Sequence, residues 1–521
     1  MTTRAMVVSL AAVLAAAAPS APDAAPPPRR LSRGALEDKI RGGWAGQMIG
    51  VSFGAPTEFR FKGRTIEGPI AWKPENVANA IDQDDLYVEM TFAEVMDRLG
   101  LEATTEQYGE MFKDSQYDLW HANAGARRLL NHGIKAPWSG HPKYNAHAND
   151  IDFQIESDFI GLMTPGLPQE DNKYADRVGR VMNYGDGLYG GMFFGGMYAA
   201  AFFESDPRTV VEAGLLSIPA ESGYAKVIRD VLAWSAQHPD DWKQTWRLVT
   251  DKWDRDDPCP DGALDSFNID ARLNGAYVAL GLLYGKGDFA RTLDVSTRAG
   301  QDSDCNPSSA AGILGVILGY ERIPDEWKSG IPRLAGTKFR FTSYSFDEIT
   351  QSTLKRALKV IEGAGGRVTP TEVLVPRQLP RAPALEQWAV DPPTARIVFG
   401  EPAWAWSEAW GEAKEDERSA APTMKATEAA GAEATLRFSG TGVTVAGRCS
   451  ALGGRADVYV DGEKAGEIDA YVPPRTHDND YWHVTGLKNG PHTLRIVTRA
   501  DKDERSTGTQ VGIMRAIVYG R

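Results

Sequence analysis

Cysteine is scarce, with three in 521 residues. So few cannot build a disulfide scaffold, and an odd number leaves at least one thiol outside any intramolecular pair. Histidine is also sparse, at eight residues. His147 and His477 stand isolated, and nowhere do His and Cys fall at the spacing of a zinc site. Basic charge is in deficit: 57 Lys and Arg against 70 Asp and Glu give a net charge of −13. A field of that sign repels phosphate backbones and excludes a general nucleic-acid binder. No internal run reaches the ~18 apolar residues of a membrane span. What is plentiful is apolar and small, with 42% hydrophobic residues, 53 Gly and 14 Trp. That supply builds several cores and rules out disorder for most of the chain. At ~100–200 residues per domain the length implies two to four domains.

The first residues have a layout of their own. Arg4 precedes an apolar run from Ala5 to Ala18 that only Ser9 interrupts, and small residues and prolines come after it. This is the pattern of a secretory signal peptide over residues 1–25, cleaved between Ala18 and Ala25. No Cys near the cleavage region offers a lipid attachment point. The expected location is secreted or periplasmic, with no transmembrane segment once the leader is removed.

Between Leu36 and Gly363 the hydrophobic period is helical. In Asp84–Leu99, residues Val88, Phe92, Val95, Met96 and Leu99 share one helix face, and Gly100 stands at the stop position. The same period recurs in 220–235, 269–284 and 346–361. The segment 190–204 is apolar nearly all round and suits a central helix. These features predict a large all-α domain over 32–365. Six prolines between Pro370 and Pro393 mark a stiff, extended linker over 366–394. Beyond it the period changes to two. Val458 and Val460 alternate with Asp457 and Tyr459 before an Asp461-Gly462 turn, and Asn489-Gly490 precedes Leu494 and Ile496. An all-β sandwich over 395–521 is predicted. Trp404, Trp406, Trp410, Tyr481 and Trp482 either stack on sugar rings or pack its core.

Two acidic clusters carry the chemistry. Asp84 and Asp85 open a helix in DQDDLYVEM (82–90). Asp302 and Asp304 flank Ser303 in AGQDSDCNPSSAAGILG (299–315), where Asn306-Pro307 has the form of an N-cap followed by a first-turn proline. Helix capping explains one carboxylate at a helix start. It does not explain two clustered pairs, which repel unless a cation or proton separates them. Octahedral oxygen coordination by several carboxylates points to Mg²⁺, Mn²⁺ or Ca²⁺. Upstream, Gly46, Gly50 and Gly54 at four-residue spacing permit either a close helix crossing or a backbone approach to ligand, and Glu58 comes next in a loop. Between the clusters, Asp152 and Glu156 at i and i+4 either face a shared cleft, where a partner offsets their repulsion, or lie on a solvated helix face.

In order, these elements resemble the ADP-ribosylglycohydrolase family, which includes the dinitrogenase reductase-activating glycohydrolases. GVSFGAPTE (50–58) is similar to the family's G-D-x-x-G-x-P-x-E, QDDL (83–86) to T-D-D-T, and GQDSDCN (300–306) with IPDEW (323–327) to G-x-D-x-D-T-N and I-P-x-x-W. The resemblance implies an all-α domain with one or two divalent ions, Mg²⁺ first and Mn²⁺ or Ca²⁺ as alternatives. It implies Gln83, Asp84, Asp85, Asp302, Asp304 and Cys305 at the metal positions and Glu58, Asp85 and Asp302 as catalytic residues. Gly50, Gly54, Asp152, Glu156 and Gly300 are the expected substrate-binding positions. Departures stand at Val51, Gln83, Leu86 and Cys305, where the family has Asp or Thr; a thiol is a poor Mg²⁺ ligand. The implied reaction is hydrolysis at the anomeric carbon of a furanoside, with vicinal hydroxyls on the metals. An export signal and a sandwich similar to carbohydrate-binding modules direct the expected substrate to an extracellular glycan or glycoside. An ADP-ribosyl-protein hydrolase, and a catalytically degenerate sugar-binding protein, are the alternatives.

Overall fold

The computed structural model describes residues 27–520 except 261, 267, 389, 416–418 and 474–479. The expected leader and His477 lie outside the described residues. Among the described residues, sixteen α-helices, from Arg33–Gly54 to Phe346–Gly363, form the first body, and two antiparallel sheets form the second. The predicted helix Asp84–Leu99 has those bounds, and Gly100 ends it at φ 92°. Its burial runs nearly all round, including Asp85 and Glu89, because neighbours cover it on several sides. The central helix Gly185–Ala201 is buried at every position but Asp186.

The first helix, Arg33–Gly54, packs along Cys305–Leu318 through its glycines. A Cβ on Gly46 would stand 2.0 Å from the Ala311 carbonyl oxygen, one on Gly50 2.2 Å from that of Pro307, and one on Gly54 2.1 Å from that of Ser303. Only glycine lets two backbones approach so closely. The Cys305–Leu318 helix starts earlier than its sequence suggests. Asp304 occupies the N-cap and Pro307 is the third helical residue, still inside the first turn where its missing N–H costs nothing.

The Pro-rich segment departs from the expected linker. Arg367–Val368 and Glu372–Val375 are strands, and Arg29–Ser32 completes a three-stranded antiparallel sheet with Glu372–Val375 in the middle. The stretch from Val375 to Trp388 is a strap laid along the helical body. The Tyr189 hydroxyl donates to the Ala384 carbonyl at 3.2 Å, Arg180 pairs with Glu386 at 2.7 Å, and Trp388 packs on His141 and Tyr184. The sandwich begins at Pro393. One sheet centres on Val511–Tyr519 and the other on Gly490–Thr498. Asp461 and Gly462 both take positive φ, 51° and 91°, in the hairpin turn. Trp404, Trp410 and Tyr481 belong to the core between the sheets, while Trp406 and Trp482 are partly buried.

Candidate active site

Three loops bring the acidic residues together. The first helix leads through a short turn, Ala55–Thr57, to Glu58. The Thr57 hydroxyl is hydrogen bonded to that of Ser303 at 2.8 Å, which ties the Glu58 loop to the Asp302–Asp304 loop. Gln83, Asp84 and Asp85 sit at the start of the Asp84–Leu99 helix. One ligand atom from each of Asp84, Asp85 and Cys305 lies within 4.8 Å of the others, and Asp302, Asp304 and Cys305 form a second such group. The two pairs thus meet across the Cys305 sulfur.

Above them opens a cavity of about 320 Å³, lined by Glu58, Gln83, Asp84, Asp152, Asp302 and Cys305. Its rim carries Phe59, Tyr87, Trp120 and His121, and no Lys or Arg is among its described lining residues. Phe59 and His121 hold φ of 57° and 48°, a conformation that non-glycine residues adopt at a cost. Phe59 is 53% exposed and Trp120 49%, unusual for large apolar groups.

So many carboxylates in so little water hold protons strongly. Burial, then Asp304 and Asp84, pushes Glu58 up to about 8. Burial followed by Asp84 brings Asp304 to about 6. Asp85 and Asp302 are raised well above the usual carboxylate range, by burial first and then by neighbouring acids. Both Asp85 oxygens are buried, and their polar neighbours are only the Cys305 thiol and the Ser308 hydroxyl, which offset little of the burial. A deeper acidic tier, Glu89, Glu156 and Asp158, lies beneath and is completely buried. Glu89 accepts from the Phe159 amide at 2.8 Å and Asp158 from Ser309 at 3.0 Å.

The expected substrate-binding set separates. Asp152 lines the cavity, and its carboxylate accepts the backbone N–H groups of Ala122 (3.2 Å) and Asn123 (3.0 Å), capping the helix His121–Asn131. Glu156 lies below, held by the Asn123 amide, so Asn123 is the partner that the i,i+4 spacing required. Neither Gly50 nor Gly54 lines the cavity: Gly50 packs on Pro307 of the Cys305–Leu318 helix, and Gly54 on the Ser303–Asp304 backbone just before it, so close backbone packing is what their missing side chains serve. Gly300, at φ 77°, turns against the Phe61 and Arg64 carbonyls and does not line the cavity. Sequence reasoning missed Tyr87, Trp120, His121, Asn123 and Glu89, which lie outside the three motifs. Their only trace is the unusual pairing of Trp with His before a short helix.

An ADP-ribosylglycohydrolase family model matches residues 32–364. The chain belongs to that family, and the membership makes it a hydrolase. A carbohydrate esterase 2 N-terminal model matches residues 418–512. Among curated relatives, the chain is 36% identical over 141 residues to an A type blood N-acetyl-alpha-D-galactosamine deacetylase of Flavonifractor plautii, covering 27% of this chain and 17% of that one. It is 42% identical over 74 residues to an A type blood alpha-D-galactosamine galactosaminidase of the same organism, covering 14% and 7%. The chain therefore spans less than a fifth of the length of these relatives. A solved ADP-ribosylglycohydrolase-related protein complex aligns at TM-score 0.42 and 13% identity, over 62% of this chain and 98% of that one. No helix among the described residues is long and apolar enough to cross a membrane.

Proposed function

We propose that the protein is an exported, divalent-metal-dependent glycoside hydrolase that cleaves a furanoside-type N- or O-glycosidic bond in an extracellular glycan or glycoside. The observation that carries this reading is the meeting of Glu58, Asp84, Asp85, Asp302 and Asp304 beside one open cavity without a lining Lys or Arg. The Asp85 carboxylate, buried among like charges with no cationic partner at hydrogen-bond distance, fits a hard cation. Asp84, Asp85, Asp302 and Asp304 would hold it, with Gln83 and Cys305 adjacent and Mg²⁺ the first choice. When bound, such an ion orients sugar hydroxyls and polarises their oxygens. Glu58, half-buried and holding its proton to about 8, is placed to deliver a proton to a leaving group or to take one from water. Asp302 lines the cavity and would face the developing oxocarbenium charge, whereas Asp85, expected beside it in that role, lies buried behind the lining and would act through the ion. Asp152 and Asn123 offer hydrogen bonds to ring hydroxyls, and Phe59 and Trp120 offer flat apolar surface to a sugar ring. The match of the sandwich to a carbohydrate esterase model supports a glycan as the substrate class, and the sequence of the first 25 residues supports export.

A panel of aryl pentofuranosides and pyranosides, each with Mg²⁺, Mn²⁺ or Ca²⁺, tests the reading. Hydrolysis that stops with a chelator and in Asp84→Ala is the expected result. Sugar binding without hydrolysis, indifferent to chelator, would mean a degenerate binder instead, the outcome that Leu86 and Cys305 at threonine positions favour. Release of ADP-ribose from a modified arginine or serine peptide would make the chain an ADP-ribosyl-protein hydrolase.

A further inference from the structure

Outside the carboxylate centre, the loop between the Trp242–Trp253 and Ala271–Gly285 helices carries Asp257-Pro258-Cys259. There Asp257 and Cys259 meet Asp150, with one ligand atom from each within 4.8 Å of the others. All three residues are at most 1% exposed. Backbone pairing fixes the meeting: the Ile151 amide donates to the Ile269 carbonyl at 3.0 Å and that of Ala271 to Asn149 at 3.2 Å. Such closeness of two carboxylates and a thiol could be mere packing if every polar atom were satisfied. It is not. Asp257 Oδ1 accepts from the Cys259 amide at 2.9 Å, and its Oδ2 is buried with no hydrogen-bond partner. Asp150 Oδ2 is bonded to His147 Nδ1 at 2.6 Å, and the Cys259 thiol is a further polar neighbour of the same carboxylate, so the open oxygen of the cluster is Asp257 Oδ2. The neighbouring guanidinium of Arg272 is engaged by Asp270 at 2.9 Å and Asp256 at 3.3 Å.

We propose that Asp150, Asp257 and Cys259 form a second metal site, for a zinc-type divalent transition ion. A thiolate among two carboxylates favours such an ion over Mg²⁺ or Ca²⁺, which select all-oxygen sites. A cation there takes up the open Asp257 oxygen and, in place of the thiol proton now shared with Asp150, the charge of the thiolate. The surroundings already orient one ligand as metal sites do. His147 bridges Asp150 to Asp480 of the sandwich, with Nε2 at 2.5 Å from Asp480 Oδ2. The site thereby anchors the contact between the two bodies, and it stands whether or not the hydrolase reading does.

Cobalt makes the thiolate ligand visible. In the full chain carrying Cys305→Ser, which removes the sulfur of the carboxylate centre, Co²⁺ should produce a near-ultraviolet thiolate-to-cobalt charge-transfer band that saturates at one ion and survives excess Mg²⁺. Adding Cys259→Ser should abolish the band, and Asp257→Asn should weaken Co²⁺ binding by about tenfold or more. Absence of the band in the Cys305→Ser chain overturns the proposal without reference to any further variant. So does a band that persists after Cys259→Ser, since that sulfur would be Cys449. Should the double variant not fold, anomalous scattering at the zinc edge from crystals of the Cys305→Ser chain decides: a peak beside Asp150 supports the site, and none refutes it.

Discussion

Replacing Gly50 with alanine should damage stability and metal binding at once. A methyl at this position would stand 2.2 Å from the Pro307 carbonyl oxygen, where ordinary contact begins at 3.4 Å, so the facing backbone must retreat by about 1.2 Å. Both partners are helix backbone, with no flexible side chain to yield. Overpacking of this kind costs about 1–3 kcal/mol, and the better helix propensity of alanine returns at most about 1 kcal/mol. With both partners rigid the cost falls in the upper part of that range, so a net loss of about 2 kcal/mol is expected, measured as a lower calorimetric melting temperature of the helical body. The second effect arises from position. Asp302, Asp304 and Cys305 stand at the head of the displaced helix, whereas Asp84 and Asp85 begin another. Pushing the two apart should lower Mn²⁺ affinity in isothermal titration, and about 1.4 kcal/mol there is tenfold. Gly34→Ala on the same helix is the control. Nothing lies within 4 Å of its added Cβ, so it should gain about 0.5 kcal/mol and leave Mn²⁺ binding alone. If Gly50→Ala melted no lower than the parent and bound Mn²⁺ equally well, the crossing would not be what holds the two acidic pairs together.

Saturating Mg²⁺ should raise the melting temperature of the parent by the stabilisation that a bound ion supplies, about 2.7 kcal/mol at a hundred times its dissociation constant, and should change that of Asp84→Asn far less. Asp171 is a buried acid held well above the usual range by burial, an effect that the Thr164 hydroxyl, donating to it at 3.2 Å, offsets only in part. The folded chain therefore keeps a proton that the unfolded chain releases near pH ~3.9, and stability is full below that pH and falls as pH rises toward the folded-state value. Asp171→Asn lacks this slope, so its stability relative to the parent should rise between pH 4.5 and pH 8 in urea unfolding; a constant difference would refute the assignment. Phe59→Ala and Trp120→Ala remove exposed surface and should leave melting nearly unchanged while raising KM on whichever glycoside the panel identifies.

The parts of the fold most legible from sequence were those set by local rules. The Asp84–Leu99 helix announces itself by period and by the glycine after it, and the Asp461-Gly462 turn by its need for positive φ. The acidic pairs were legible because like charges in two short clusters demand a counter-ion. Long-range pairing left less trace. Glu372–Val375 reads as linker because its partner, Arg29–Ser32, lies more than three hundred residues earlier and the prolines around it dominate. The choice between a helix crossing and a ligand contact for Gly46, Gly50 and Gly54 depends on what stands opposite, and the spacing is the same for both. Glu89 was invisible for a related reason: a buried carboxylate on an otherwise amphipathic helix looks like a surface one until its neighbours are known. His147 reads as isolated in the sequence because one of its partners, Asp480, lies 333 residues away, and Asp150, only three residues on, does not by itself mark a site.

One short helix explains why the sandwich matters to the cavity. His121–Asn131 presents His121 and Asn123 to the cavity at its N-terminus, where Asp152 caps it. Its other end meets the sandwich: the Arg128 guanidinium donates to the Asp480 carbonyl at 2.7 Å, Arg505 donates to the Asn131 carbonyl at 2.9 Å, and His132, just past the last turn, is bonded to the Tyr471 carbonyl at 2.7 Å. Eleven residues of helix are stiff on this scale, so a shift at the sandwich end is carried to the cavity end rather than absorbed. Removing the sandwich would take their carbonyl partners from Arg128 and His132 and strip the buried His147 of Asp480. The sandwich is thus part of the wall that holds His121 and Asn123 in place, and a chain cut after the strap should lose order first at this helix, which hydrogen exchange of its amides would register.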